Sequence, residues 1–194
     1  MNAIERAWLL RFIPDYRLFL QRLHAVDRPL RCTRWYRSPA DGPLQLALGD
    51  EPAFYNWLTD EALLRSALEN VVSGLQFDVE ENDLWLPQWG ERPATEEARA
   101  QRVRELVAAA PRLIPVYHHR FLLAEPCQAG NPVFSIHQSD IIVYGAELRT
   151  YLLSEFADLL GIDKHEVRNE ARNRLQTSFE SYAAIPFWGD LYTM

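Results

Sequence analysis

Residues Leu113 to Phe156, LIPVYHHRFLLAEPCQAGNPVFSIHQSDIIVYGAELRTYLLSEF, constrain the fold more than any other stretch, because they read as strand, polar loop, strand and helix in succession. In the first half, Tyr117, His119, Phe121 and Leu123 alternate with Val116, His118, Arg120 and Leu122, the two-residue period of a half-buried strand. Pro115 lacks a backbone donor and points to a sheet edge or a bulge. Beyond the Glu125 to Asn131 loop, Phe134 and Ile136 fall on one face and Ser135 and His137 on the other. An antiparallel hairpin across that loop must bring Phe121 and Phe134 to the same apolar face, since a one-residue slip would turn every side chain over. His118, Arg120, Ser135 and His137 then share the opposite, more polar face.

The segments around this core read as helices. Ile4, Ala7, Trp8 and Phe12 share one helical face, and Tyr16, Phe19, Leu20 and Leu23 form a second stripe. Pro14-Asp15 between them is a helix start, so two short helices or one kinked helix are expected. Residues 27 to 50 are broken by Pro29, Pro39, Gly42, Pro43 and Gly49, leaving room only for short strands such as Gln45 to Leu48. From Pro52 to Val72 a helical stripe of Leu64, Ala67, Leu68 and Val71 runs up to Gly74, which is expected to end it. Gln76 to Asp78 reads as a short strand, and DVEENDLWLPQWGERP as an aromatic loop. Thr95 caps a further helix with Val103, Leu106, Val107 and Ala110 inward, stopped by Pro111. Glu147 to Phe156 is a helix after Gly145, and residues 163 to 180 are polar and helical in pattern. No repeat or linker divides the chain.

With 194 residues and 48% hydrophobic content, one domain with a substantial core is expected. A net charge of -7 disfavours nonspecific nucleic-acid binding, which depends on Lys and Arg neutralising phosphates, and suits a basic partner. Cys32 and Cys127 are far apart without CxxC spacing, and Glu5 and Arg11 interrupt any signal-peptide run, so a reducing cytoplasm is expected. No stretch approaches the roughly 20 apolar residues that span a bilayer.

Chemistry-bearing residues are present without a catalytic signature. His118, His119, Glu125, Cys127 and His137 are residue types that bind zinc and related ions. Adjacent His118 and His119 on one strand point to opposite faces, so the best version of a metal-assisted hydrolase uses His118, His137 and Glu125. A solvated polar face is the preferred reading, and no metal or cofactor is assigned. Neither Cys127 nor Ser135 sits in a nucleophile motif, and no glycine-rich phosphate loop occurs. The acidic run Asp78, Glu80, Glu81 and Asp83 suits a solvated loop or an anionic contact surface. Trp8, Trp35 and Trp57 read as core. Trp85, Trp89 and Trp188 lie in loop or terminal segments, where the preferred reading is packing over a sheet edge and the alternative is partner contact. Gln138 and Asp140 read as turn formers.

The loop LWLPQWGERP, the strand LIPVYHHR, the hairpin EPCQAGNPVFSIHQSD, the helix YGAELRTYLLSEF and the closing IPFWGDL together resemble the SUKH superfamily, the group named after fungal Smi and Knr cell-wall regulators. The likeness covers roughly the C-terminal two thirds and is to long single-domain bacterial members. It implies an α+β domain and protein binding without catalysis, since many bacterial members are thought to be immunity proteins that neutralise a toxin and the fungal ones are adaptors. The expected fold is a mostly antiparallel sheet with the 113 to 138 hairpin near its centre and helices packed largely on one face. The expected contact surface is an acidic, aromatic-studded groove holding a basic protein, with Trp85, Trp89, His118, Arg120, Glu125, Asn131, His137, Asp140 and Trp188 as its residues. A homodimer joined through the aromatic loop is a further alternative.

Overall fold

The computed structural model describes residues 1–23, 31–36, 45–52, 54–163, 167 and 179–192, with the side chains of 31–36, 45–52, 159 and 179 outside that description. The readings of Cys32 and Trp35, and most of the helical reading of 163 to 180, lie outside the described residues.

The fold is α+β around a four-stranded antiparallel sheet of order β3-β4-β5-β6. Its strands are β3 (Leu113–Tyr117), β4 (Arg120–Leu123), β5 (Val133–His137) and β6 (Asp140–Gly145). The expected register is present: Phe121 pairs with Phe134 and Arg120 with Ser135. Pro115 lies in edge strand β3, beside a register shift between Pro115 and Tyr117. Isolated bridges Phe54 to Tyr117 and Ile141 to Tyr192 cover the outer strands. What reads as one long strand from 116 to 123 is itself a tight hairpin. His118 and His119 form its turn, with His118 at a φ of 49°. His137, Gln138, Ser139 and Asp140 repeat the device, with Gln138 at 57°. Both turns use a non-glycine residue at positive φ, the sense of backbone twist that matches paired strands.

Helices α1 (Asn2–Ala7) and α2 (Pro14–Leu23) are the two expected short helices, divided before Pro14. Strands β1 (Arg31–Tyr36) and β2 (Gln45–Pro52) pair as a separate antiparallel ribbon. Helix α3 runs from Glu61 to Glu81, so Gly74 does not end it and Gln76 to Asp78 is not a strand. Helix α4 (Glu96–Ala109) is capped as expected, Thr95 Oγ1 accepting from the Ala98 amide at 3.2 Å. Helices α5 (Leu148–Glu155) and α6 (Ala157–Leu160) follow the sheet, and short turns Phe179–Ala183 and Trp188–Leu191 close the chain.

Helical cover is divided between the two faces rather than gathered largely on one. Leu113, Phe121, Leu123, Phe134, Ile136, Ile141 and Val143 face α3 and α4 and are joined by Trp89, Phe187 and Trp188. Ile114, Val116, Leu122 and Val133 face α1, α2 and α5, with Tyr55, Trp57 and Tyr151. A buried relay fixes the second layer: Trp57 Nε1 donates to Tyr16 Oη (2.8 Å), which donates to the Pro115 carbonyl (3.2 Å).

The reason α3 passes through Gly74 is contact with the β5-β6 turn. A methyl at Gly74 would stand 3.0 Å from the Gln138 Cα, so the helix needs a residue without a side chain there. One turn later Asp78, 3% exposed, accepts from the Ser139 amide at 2.8 Å and from Asn82 Nδ2 at 2.6 Å. These bonds outweigh the cost of burial and hold its carboxyl below the usual range. Gly74→Ala, which at a free helical site would add about 1 kcal/mol through propensity, should here lower stability by about 1 to 2 kcal/mol in urea unfolding. Asp78→Ala should cost about 2 kcal/mol by stranding the Ser139 amide. A stabilising Gly74→Ala would show that the helix and turn are not in contact.

Candidate functional site

The expected polar face exists in part, folded against α5. Arg120 Nη1 donates to Ser135 Oγ at 2.8 Å, and its guanidinium carbon lies 3.8 Å from the Tyr144 ring centre. Tyr144 meets Tyr151 edge to face at 6.1 Å. Tyr151 is fully buried, which pushes its phenol upward, and its hydroxyl has no hydrogen-bond partner among the described residues. Arg120 and Ser135 are therefore bound to each other between sheet and helix rather than presented as an open surface.

The histidines are not arranged as one strand would place them. His118 and His119 occupy the β3-β4 turn, where Tyr55 Oη donates to the His118 carbonyl at 3.0 Å. It is the His119 carbonyl that accepts from β5, bonding the Ile136 amide at 3.0 Å. Exposed His137 ends β5 opposite exposed Asp140. Glu125 lies beyond the other end of β4, so the geometry does not assemble His118, His137 and Glu125. Among the described residues no three His, Cys, Asp or Glu side chains are placed to share a metal ion.

The tryptophans settle on the packing side. Trp89 is 2% and Trp188 1% exposed; Trp188 Nε1 donates to the Pro111 carbonyl at 2.7 Å, and Trp89 stacks on Phe187 at 5.9 Å. Half-buried Trp85 donates to the Gly90 carbonyl at 2.8 Å and meets Trp89 at 5.5 Å. The neighbouring carboxylates are also engaged. Asp78 is buried, Asp83 pairs with Arg92, and Glu80 pairs with Arg99, whose guanidinium holds the Glu80 carboxyl below its ordinary value. Trp89 and Trp188 therefore belong to the core rather than to an exposed contact surface.

An open cleft lies instead beside the loop between β4 and β5. Asn131, 4% exposed, donates from Nδ2 to the Leu123 carbonyl (2.9 Å) and the Pro126 carbonyl (2.8 Å), fastening the loop's two ends together. Glu125 accepts from the Arg112 amide (2.6 Å) and guanidinium (2.8 and 2.9 Å). The loop tip leans on α2, the Gly130 amide donating to Asp15 at 3.1 Å. Between this loop, the start of α5 and the Phe179–Ala183 turn is a cavity of about 400 Å³. Leu123, Pro126, Pro132, Tyr182 and Ile185 give it apolar walls; Glu125, Glu147 and Ser181 give it polar ones.

Glu125 and Asn131 are thus the expected residues that reach this cleft, Asn131 also as its fastener. Ser181 and Tyr182 reach this loop, some fifty residues earlier, only because the C-terminal turn folds back, while Glu147 comes to it from the N-cap of α5. Comparison with models of protein families, with curated proteins and with solved structures gives no match.

His119 has a checkable consequence. Its ring stands at the surface, yet loss of hydration on its covered side, followed by the charges of Arg120, His118 and His137, lowers its pKa to about 4. The unfolded chain would take up this proton near pH 6.5. Stability is therefore full above about 6.5 and declines as pH falls toward 4, by about 1 kcal/mol or less given the ring's exposure. Urea unfolding between pH 7 and 4.5 should show this slope, and His119→Gln should flatten it.

Proposed function

We propose that this chain is a non-enzymatic protein-binding domain of SUKH type, an immunity or adaptor protein whose cleft beside the β4-β5 loop holds a basic segment of a protein partner, such as a toxin domain. The observation that carries this reading is the pairing of two carboxylates, Glu125 and Glu147, with apolar walls from Leu123, Pro126, Pro132, Tyr182 and Ile185 in one open cavity. A lysine or arginine stem packs on such walls while its head meets the carboxylates. The chain's charge of -7 supports the same polarity, since it steers a cationic partner toward it. The sequence resemblance supports a binding role. A reducing cytoplasm is the compartment we propose; no helix among the described residues is long and apolar enough to cross a membrane.

Co-expression with toxin domains encoded in neighbouring genes should yield a complex that weakens as salt rises. Ser181→Trp, which fills the cleft from an exposed position, and Glu147→Lys, which reverses its charge, should each weaken that complex about tenfold or more, about 1.4 kcal/mol. Calorimetric titration would read the change. Absence of a complex with any neighbour-encoded protein would remove the immunity reading, and a complex indifferent to both substitutions would move the contact elsewhere.

A further inference from the structure

The same loop has a second side. There, α1, the segment after it, Arg17 of α2, Arg112 and Cys127 enclose an open groove of about 750 Å³. It shares no lining residue with the cleft described above. Four arginines, Arg6, Arg11, Arg17 and Arg112, line it against one carboxylate, Glu5. In a chain carrying -7 overall, this is a local inversion of charge.

The four arginines divide into two kinds. Arg17 is held by Glu5 and Asn2, and Arg112 by Glu125 and the Leu9 carbonyl, so these two build the walls. Arg6 and Arg11 are exposed, and neither has an ion-pair partner among the described residues. Between them the backbone is strained. Leu9 adopts a φ of 49°, a left-handed conformation that a leucine takes only when its surroundings impose it, and the residue is 81% exposed. The Arg112 contact with the Leu9 carbonyl and the Leu9 amide's bond to the Arg6 carbonyl (3.3 Å) hold it there. The result is an apolar side chain at the lip of a cationic groove.

We propose that this groove binds an acidic peptide segment of a protein, with Arg6 and Arg11 pairing its carboxylates and Leu9 covering an apolar residue between them. Charge complementarity selects the occupant. Guanidinium groups receive carboxylates through two parallel hydrogen bonds. A lone small anion would leave most of the groove and the exposed Leu9 unused, and a nucleic acid would be repelled by the chain's overall charge. The proposal stands apart from the cleft across the loop, whose ligand carries the opposite charge.

A fluorescein-labelled peptide rich in Glu and Leu, titrated with the full chain and followed by anisotropy, tests this. Binding should weaken as salt rises, fall about tenfold or more in R6E/R11E, and fall several-fold in L9S. Ser181→Trp should leave it unchanged. Bound peptide should also slow alkylation of Cys127, which lines the groove, as read at that residue by mass spectrometry. R6E/R11E alters only exposed side chains, and circular dichroism checks that it folds. Absent binding, or binding unaffected by R6E/R11E, overturns the proposal. Equal displacement by inorganic phosphate at matched ionic strength overturns it in favour of a small-anion site. Tighter binding of a single-stranded oligonucleotide overturns it in favour of nucleic acid.

Discussion

The contact between α3 and the β5-β6 turn positions one whole layer of this structure. Gly74 lets the helix meet the Gln138 backbone without an intervening side chain, and Asp78 then accepts the Ser139 amide from the same turn. Because the two residues are four apart, they lie on one face of α3, in line with Val71, Leu75 and Val79, which pack into the core. A polar clamp thus continues an apolar stripe. Once α3 is fixed, α4 follows through the Arg99 to Glu80 pair, and the packed tryptophans fill the remaining space over the sheet. The buried carboxylate is tolerated because it accepts a backbone amide that the tight turn would otherwise leave unpaired.

What was legible in the sequence follows from which forces act locally. The Phe121 to Phe134 register could be read because alternation leaves a strand with one buried face only one acceptable pairing. Thr95 and Pro14 could be read because caps and helix starts depend on a few neighbouring residues. Gly74 was misleading for the opposite reason. Its preference for ending helices is a local tendency, and a contact with residues more than sixty positions later overrides it. His118 and His119 misled similarly: both strands around them alternate, and nothing in that pattern marks a turn closed without glycine. The clefts were the least legible part, since Glu147, Ser181 and the N-terminal arginines become neighbours of the loop only through tertiary folding.

That loop is best understood as a wall. Its base is fixed by buried Asn131, by the Ala124 amide bonded to the Arg112 carbonyl at 2.8 Å, and by Glu125 bonded to the Arg112 backbone. Exposed ion pairs contribute little alone, about 0.2 to 1 kcal/mol. The Arg112 to Glu125 pair, with side chains half in solvent, would not by itself hold a loop of this length. The buried amide and backbone bonds do so, and the ion pair then has a different effect: it arranges charge across the wall. Glu125 lines the cleft bearing Glu147, while Arg112 lines the groove bearing Arg6 and Arg11. Each member of the pair adds its sign to its own side, so the wall separates a carboxylate-bearing cavity from an arginine-lined one within a single short segment. A chain with net negative charge can in this way present two contact regions of opposite preference, and the distinction rests on backbone hydrogen bonds that salt does not screen.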